Sequence, residues 1–139
     1  MNAQPGPSGV VTSGVVELAA GALSGWVYAL AIADKDRARK LGIISTPRIR
    51  QWHLDLIALG TATTVTGLAV PEAPTMVQRS LVAGAWANAM LFLPVAFEPG
   101  LAEDKAYRGV VIASFVATSV GFSGMALTAL GRRRALRDH

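Results

Sequence analysis

The sequence predicts an all-α integral membrane protein that folds as a four-helix bundle. Hydrophobic residues make up 52% of the 139 residues and charged residues only 16%, and the mean hydropathy is +0.42. This composition is too apolar for an ordinary soluble domain. Four apolar runs are long enough, or nearly so, to cross the roughly 30 Å of hydrocarbon in a bilayer. They are residues 10–33, 47–70, 77–97 and 109–130.

The first predicted helix, residues 10–33, follows a Pro- and Gly-containing segment, residues 1–9, which we expect to be a flexible tail. No Lys or Arg precedes the helix, and its apolar run is long for a signal peptide, so we expect it to be retained. Small residues recur at every fourth position, which predicts a face that packs on protein. They are Gly21, Gly25, Ala29 and Ala33.

Glu17 lies at the outer end of this small-residue face. An unpaired charge inside an apolar helix is unfavourable, so a carboxyl at this position is a candidate functional group. The alternative is a neutral carboxyl, or one that is hydrogen-bonded near the membrane boundary. The sequence leaves both interpretations open.

The connection between the first two helices, residues 34–50, is the most basic part of the chain, with six Lys and Arg residues. The positive-inside rule places it in the cytoplasm together with the connection 98–108. Lys and Arg number eight on that side and five on the other, so the rule favours this orientation only narrowly. Because the basic residues flank membrane spans, lipid headgroups explain the net charge of +4 better than nucleic acid does.

The second predicted helix carries His53, the main candidate for a ligand-binding residue. The only other histidine is His139, and the chain has no cysteine, so His53 is the one strong internal donor for a soft metal or a haem iron. If Thr46 caps this helix and Pro47 is its first residue, His53 lies about two turns inside it, near the membrane boundary. The alternative is an interfacial histidine that binds a headgroup or a carbonyl.

The side of the helix that carries His53 is small or hydroxylated farther along, which would leave room for a ligand. Its other members are Ile57, Gly60, Thr64 and Gly67. One histidine in a roomy apolar site is enough to hold a five-coordinate haem whose sixth position is open to substrate. Arg48 and Arg50 lie within about one and a half turns of His53 and could bind the propionates.

The third predicted helix, residues 77–97, contains Asn88 near its middle. The amide needs a partner, which is a ligand, a water or a group on another helix. We expect Asn88 to face a ligand cavity on the side that carries Phe92. The fourth helix, residues 109–130, also has a small residue at every fourth position, for packing in the bundle or at an oligomer seam. A basic tail, residues 132–139, follows it.

Several enzyme classes lack their motifs in this sequence. No pair of carboxylates has catalytic spacing, no Gly-rich phosphate loop precedes a helix, and no zinc-protease motif or Ser, His and Asp set is recognisable. The lack of cysteine also excludes disulfides, iron–sulfur clusters and thiolate ligands. Hydrolase and kinase functions are therefore disfavoured.

Three features point to a known family. They are four spans in a chain of this size, a histidine that opens the second helix with a proline eighteen residues later (His53 and Pro71), and a Trp-x-Asn sequence in the third helix (Trp86 and Asn88). In these features residues 50–97 resemble the small membrane isomerases typified by styrene oxide isomerase, with hydroxylaminobenzene mutase as a relative. The first and last helices resemble those of the family only in their general apolar character.

This resemblance implies a homotrimer in a bacterial inner membrane, with haem b bound between neighbouring subunits and His53 as the iron ligand. The ferric iron acts as a Lewis acid on a small lipophilic substrate, which undergoes an epoxide-to-carbonyl 1,2-shift or a hydroxylamine rearrangement. We therefore expect Arg48, Arg50 and Trp86 to contact the cofactor and Asn88 to act in catalysis.

The sequence departs from the family at three polar positions near the substrate. An asparagine, an acidic residue and a tyrosine of the family fall on Leu59, Gly84 and Phe92. The proposed iron ligand is thus present, while the polar groups that face the substrate in the styrene oxide enzymes are not.

Two functions from other classes remain possible. Glu17 in the first span and Trp86 in the third resemble the small multidrug resistance exporters, which would make the protein a proton-coupled exporter. The long basic first connection argues against this. The protein could also be an accessory membrane subunit without chemistry, in which the small residues serve only helix packing. An absorption spectrum separates the haem enzyme from both.

Overall fold

Every regular element in the computed structural model, which describes Gly6 and residues 8–137, is helical. The elements are α1 (Gly9–Ala33), α2 (Lys35–Lys40), α3 (Thr46–Ala69), α4 (Thr75–Met90), α5 (Phe92–Phe97), a 3₁₀ helix (Pro99–Glu103) and α6 (Lys105–Ala135). This confirms the all-α prediction. Most of the expected flexible tail, residues 1–9, and the last two residues of the basic tail lie outside the described residues.

Three segments are long and apolar enough to cross a membrane, namely α1, α4 together with α5, and α6. Helix α3 is as long as these but is not among them. The reason is its composition, because its first ten residues include Arg48, Arg50, His53 and Asp55, and charged groups strongly disfavour transfer into hydrocarbon. The part of the chain that the structure describes therefore has three candidate membrane spans, and the fourth that the sequence suggested is not confirmed.

The ends of the helices follow from local hydrogen bonding. Ser8 Oγ accepts a hydrogen bond from the N–H of Val11 at the start of α1 (3.4 Å), and Asp104 caps α6 in the same way. The expected cap of α3 is wrong in detail, because Ser45 occupies the cap position. The hydroxyl of Thr46 instead donates to Ala31 O of α1 (3.5 Å).

The expected third helix is interrupted at Leu91, between α4 and α5. Pro94 explains the break, since it has no N–H to donate to the carbonyl of Met90 and its ring clashes with that carbonyl. Helix α6 is longer than expected and includes Arg132, Arg133 and Arg134 in its last turn, where positive charge stabilises the C-terminal end of a helix.

Two tightly packed pairs, α1 with α3 and α4 with α6, make up the molecule. Helix α3 joins the pairs by packing on α4 and α5, whereas α1 touches α4 only slightly and does not touch α6 in the described part. The backbone N–H groups of Ile44 and Ser45 both donate to Ala96 O (2.9 Å each). The two basic connections, 34–45 and 98–104, therefore lie at the same end of the molecule, as expected.

The contact between α1 and α3 is close enough to require glycine. A Cβ on Gly14 would lie 2.6 Å from the N atom of Thr64, and a Cβ on Gly60 would lie 2.6 Å from the N atom of Leu18. The buried positions of α1 are spaced alternately by three and four residues, at Gly14, Glu17, Gly21 and Ser24. This spacing keeps a face aligned along a helix.

The expected small-residue faces with a strict spacing of four are therefore only partly correct. Four residues turn a helix by about 400°, so such a row drifts by about 40° at each step. Gly21 and Gly121 are buried within the chain, but Ala29, Gly109 and Ala113 are exposed.

Candidate functional site

The imidazole of His53 is half-buried on the side of α3 that faces α1. Its Nδ1 lies 2.9 Å from Gly21 O and 3.0 Å from Ser24 Oγ, and the hydroxyl of Ser24 donates to the same carbonyl (2.7 Å). The ring is also stacked on Tyr28, with ring centroids 5.9 Å apart and planes at 24°. These contacts to α1 fix the orientation of the ring.

The hydrogen bond to Gly21 defines which nitrogen of His53 carries the proton. A carbonyl oxygen only accepts, so Nδ1 must be the donor, and the neutral imidazole then has its lone pair on Nε2. Nε2 has no hydrogen-bond partner among the residues that the structure describes. A histidine held by Nδ1–H to a backbone carbonyl, with Nε2 free, is the arrangement typical of a metal ligand.

Gly25 lies beside the Cε1 corner of the His53 ring. A Cβ at this position would be 3.2 Å from Cε1, 3.7 Å from Nδ1 and 3.9 Å from Nε2, so the glycine lets this corner of the ring lie close to α1. The predicted room along α3 is absent, because Gly60, Thr64 and Gly67 pack directly on α1.

A groove of about 510 Å³ starts at Tyr28, the ring that stacks on His53. Three basic side chains line it, Lys35 and Arg39 from α2 and Arg50 from α3. His53 does not line this groove and is linked to it through Tyr28. Lys35 and Arg39 were not among the predicted site residues, although their spacing of four residues in the basic connection would place them on one side of a helix.

A second cavity, of about 320 Å³, lies between α3, α4, α5 and α6. Asn88 and Phe92 line it together, as the sequence analysis expected, and the remaining wall is mainly apolar. Arg48 also lines this cavity, with its Cζ 5.8 Å from the centroid of the Phe92 ring. Tyr107 closes part of the wall by donating from its hydroxyl to Leu91 O.

The predicted site residues therefore fall into two places on one chain. His53 and Arg50 lie on the side of α1 and α2, whereas Asn88 and Arg48 lie in the cavity beside α6. Trp86 belongs to neither place, because its Nε1–H donates to Ser13 Oγ (3.0 Å) and links α4 to α1.

No group of three or more acidic or histidine side chains that could hold a metal ion occurs among Gly6 and residues 8–137. A single axial histidine, as in many haem proteins, does not need such a group. No protein-family model matches this sequence, and no curated protein and no solved structure matches it either. The function must therefore be argued from the geometry around His53 and Asn88.

Proposed function

We propose that the protein is a haem-dependent membrane isomerase or mutase in which Nε2 of His53 is the iron ligand. The observation that carries this proposal is the 2.9 Å hydrogen bond from Nδ1 to Gly21 O, which leaves Nε2 free to coordinate. Haem b bound there would supply a Lewis-acidic iron with one open position for a small lipophilic substrate. The other tasks, which are to bind the cofactor and to orient the substrate, belong to side chains of this chain.

The surroundings of His53 suit a haem in the positive charge that they offer its propionates. The groove that begins at Tyr28 offers Lys35, Arg39 and Arg50, which suit two propionate carboxylates. Haem propionates therefore have cationic partners on the same side of the molecule as the proposed iron ligand.

Arg50→Gln is expected to weaken haem binding about 10- to 100-fold, because a charge-assisted hydrogen bond to a propionate contributes about 1.5–3 kcal/mol. Titration of haem-free protein with haem, followed by its absorption, measures this change. Arg37→Gln is the matched control, since Arg37 belongs to the same basic connection but does not line this groove. Equal losses in both variants, or a larger loss in Arg37→Gln, would contradict the placement of the propionates.

We further propose that α3 crosses the bilayer as a fourth span. It packs on α1, α4 and α5, so its polar residues have protein neighbours that an isolated helix would lack. Ile49, Leu56, Gly60, Thr63 and Gly67 are its buried residues. A central helix with such contacts tolerates a composition that would be unfavourable in direct contact with lipid.

The separation of His53 and Asn88 supports an oligomeric site. Asn88 lines the cavity beside α6 and His53 does not, so a site that contained both residues would form where two subunits meet. We propose a homotrimer in which His53 of one subunit would hold the haem and Asn88 of the partner subunit would bind the substrate. The trimer itself is taken from the resemblance to the isomerase family.

In this proposal Asn88 binds the substrate oxygen through its amide N–H groups while the apolar wall of the cavity holds the hydrocarbon part. Asn88→Leu is then expected to lower turnover about 10²-fold, as loss of one positioned donor does in other enzymes, without loss of haem. Isomerisation of styrene oxide and rearrangement of an arylhydroxylamine are suitable assays. If the variant fails to fold or to assemble, the role of Asn88 is structural and not catalytic.

The alternative functions remain separable by experiment. A proton-coupled exporter would use Glu17, which is fully buried in α1. An accessory subunit would need neither Glu17 nor His53 for chemistry. Both would be colourless when purified from cells that are supplied with haem. The absorption spectrum of the detergent-purified protein therefore decides between them and the haem enzyme.

A further inference from the structure

Glu17 has an exposed fraction of 0%, and neither of its carboxyl oxygens has a hydrogen-bond partner in the described part of the chain. Thr63 on α3 is also fully buried, and its hydroxyl likewise has no partner there. Roughly nine in ten or more buried polar groups in folded proteins are hydrogen-bonded. Three such oxygen atoms on two neighbouring helices therefore need an explanation.

The register of the contact between α1 and α3 places the two residues on facing stretches of these helices. Gly14 faces Thr64, since a Cβ on Gly14 would be 2.6 Å from the N atom of Thr64. Gly21 faces Ile57, with a corresponding distance of 2.9 Å to the N atom of Ile57. Glu17 lies between these two glycines on the buried side of α1. The segment of α3 opposite Glu17 is therefore residues 57–64, which contains Thr63.

No positive side chain in the described part of the chain pairs with Glu17. The ion pair found there joins Arg132 to Glu72. On α3, the titratable residues are Arg48 and Arg50 near its start, His53, which is bonded to Gly21, and Asp55, which accepts a hydrogen bond from Gln51.

The other helices that pack on α1 bring no neutralising group to Glu17 either. The only charged residue of α4 is Arg79, which is exposed. The charges of α2 follow the far end of α1. The buried residues of α4 are apolar or glycine, so the surroundings of Glu17 contain no counter-charge.

We propose that Glu17 and Thr63 form a buried site for one monovalent cation, a proton or Na⁺, that is distinct from the His53 site. An ionised carboxyl without a counter-charge is strongly unfavourable in such surroundings, and either cation removes this penalty. Carboxylate and hydroxyl oxygens are suitable ligands for a hard cation. With a proton, the neutral acid donates to the Thr63 hydroxyl through one water.

Infrared spectroscopy of the purified full chain in H₂O and D₂O tests the site. At neutral pH and low Na⁺, the wild type is expected to show the C=O band of a protonated carboxyl, and Glu17→Gln is expected to lack it. If Na⁺ is the natural occupant, each tenfold rise in saturating NaCl lowers the pH at which this band disappears by about one unit. If the proton is the occupant, that pH does not depend on NaCl.

A wild-type spectrum in which Glu17 is ionised at neutral pH and does not respond to Na⁺ would overturn the proposal. Thr63→Val provides a second test that keeps the carboxyl. It is expected to shift the frequency of the Glu17 band and to weaken Na⁺ competition several-fold. Thr61→Val is the matched control, because Thr61 is exposed on the same helix and donates to Ile57 O of its own turn.

Circular dichroism and size-exclusion chromatography establish that each variant is folded. If Glu17→Gln does not fold, the pair Thr63→Val and Thr61→Val still decides the question. Identical carboxyl bands and identical Na⁺ responses in wild type and Thr63→Val would show that Thr63 is not part of a cation site, and the proposal would be wrong. None of these measurements depends on bound haem.

Discussion

His53→Ala is expected to abolish the Soret absorption of the haem-loaded protein and with it all isomerase activity. Changes to groups that merely orient a metal-bound histidine cost about 10- to 100-fold in affinity, so loss of the ligand itself should exceed this. Two other possible donors are poorly placed, because Met76 is exposed at the start of α4 (74%) and Met125 is enclosed in the core (1%). Haem titration of the haem-free protein is the measurement.

Two variants near His53 separate ligation from general damage. Ser24→Ala removes one contact of Nδ1 but keeps Gly21 O, so we expect about a tenfold loss of haem affinity at most. Asp55→Asn changes a residue that accepts a hydrogen bond from Gln51 instead of contacting His53, and it should bind haem as the wild type does. A colourless wild type made with ample haem, or a fully coloured His53→Ala, would exclude the proposed function.

The helices were predictable mainly where proline and periodic apolar residues mark them. Helix α3 ends at Ala69, shortly before Pro71, as expected. Pro94 indicates the break between α4 and α5. Residues 77–97 are so apolar throughout, however, that they were predicted to form one continuous helix. Helix α2 was missed because six charged and small residues, KDRARK, carry no apolar period. It depends instead on Asp34, whose carboxyl accepts from the N–H of Arg37 (2.9 Å).

The residue types of the candidate site could be read from the sequence, but their arrangement could not. His53 followed from the inventory of possible ligands, whereas its hydrogen bond to Gly21 depends on the register between α1 and α3. Arg48 and Arg50 are two residues apart and therefore point about 200° apart on a helix. This angle explains why one lines the Asn88 cavity and the other lines the groove beside Tyr28. Lys35 and Arg39 reach that groove only because α2 forms.

Gly60→Val is expected to separate α1 from α3 and to reduce haem binding at the same time. A Cβ on Gly60 would lie 2.6 Å from the N atom and 3.0 Å from the Cα atom of Leu18, and 2.9 Å from Gly14 O. These are backbone atoms, so the helix as a whole must move to relieve the clash. Overpacking of this kind costs about 1–3 kcal/mol or more. Thermal unfolding in detergent, followed by circular dichroism, measures the loss of stability.

The loss of haem has a separate physical cause. Gly21 and Ser24 hold Nδ1 of His53 only while α1 lies against α3, so a displaced α1 frees the ring and lowers its affinity for iron. Gly131→Val in α6 is the matched control, because a Cβ at that position meets no atom within 4 Å, and valine forms helix at least as well as glycine. If Gly60→Val melts and binds haem like Gly131→Val, α1 does not pack on α3 in this register, and the proposed hydrogen bond between His53 and Gly21 is wrong.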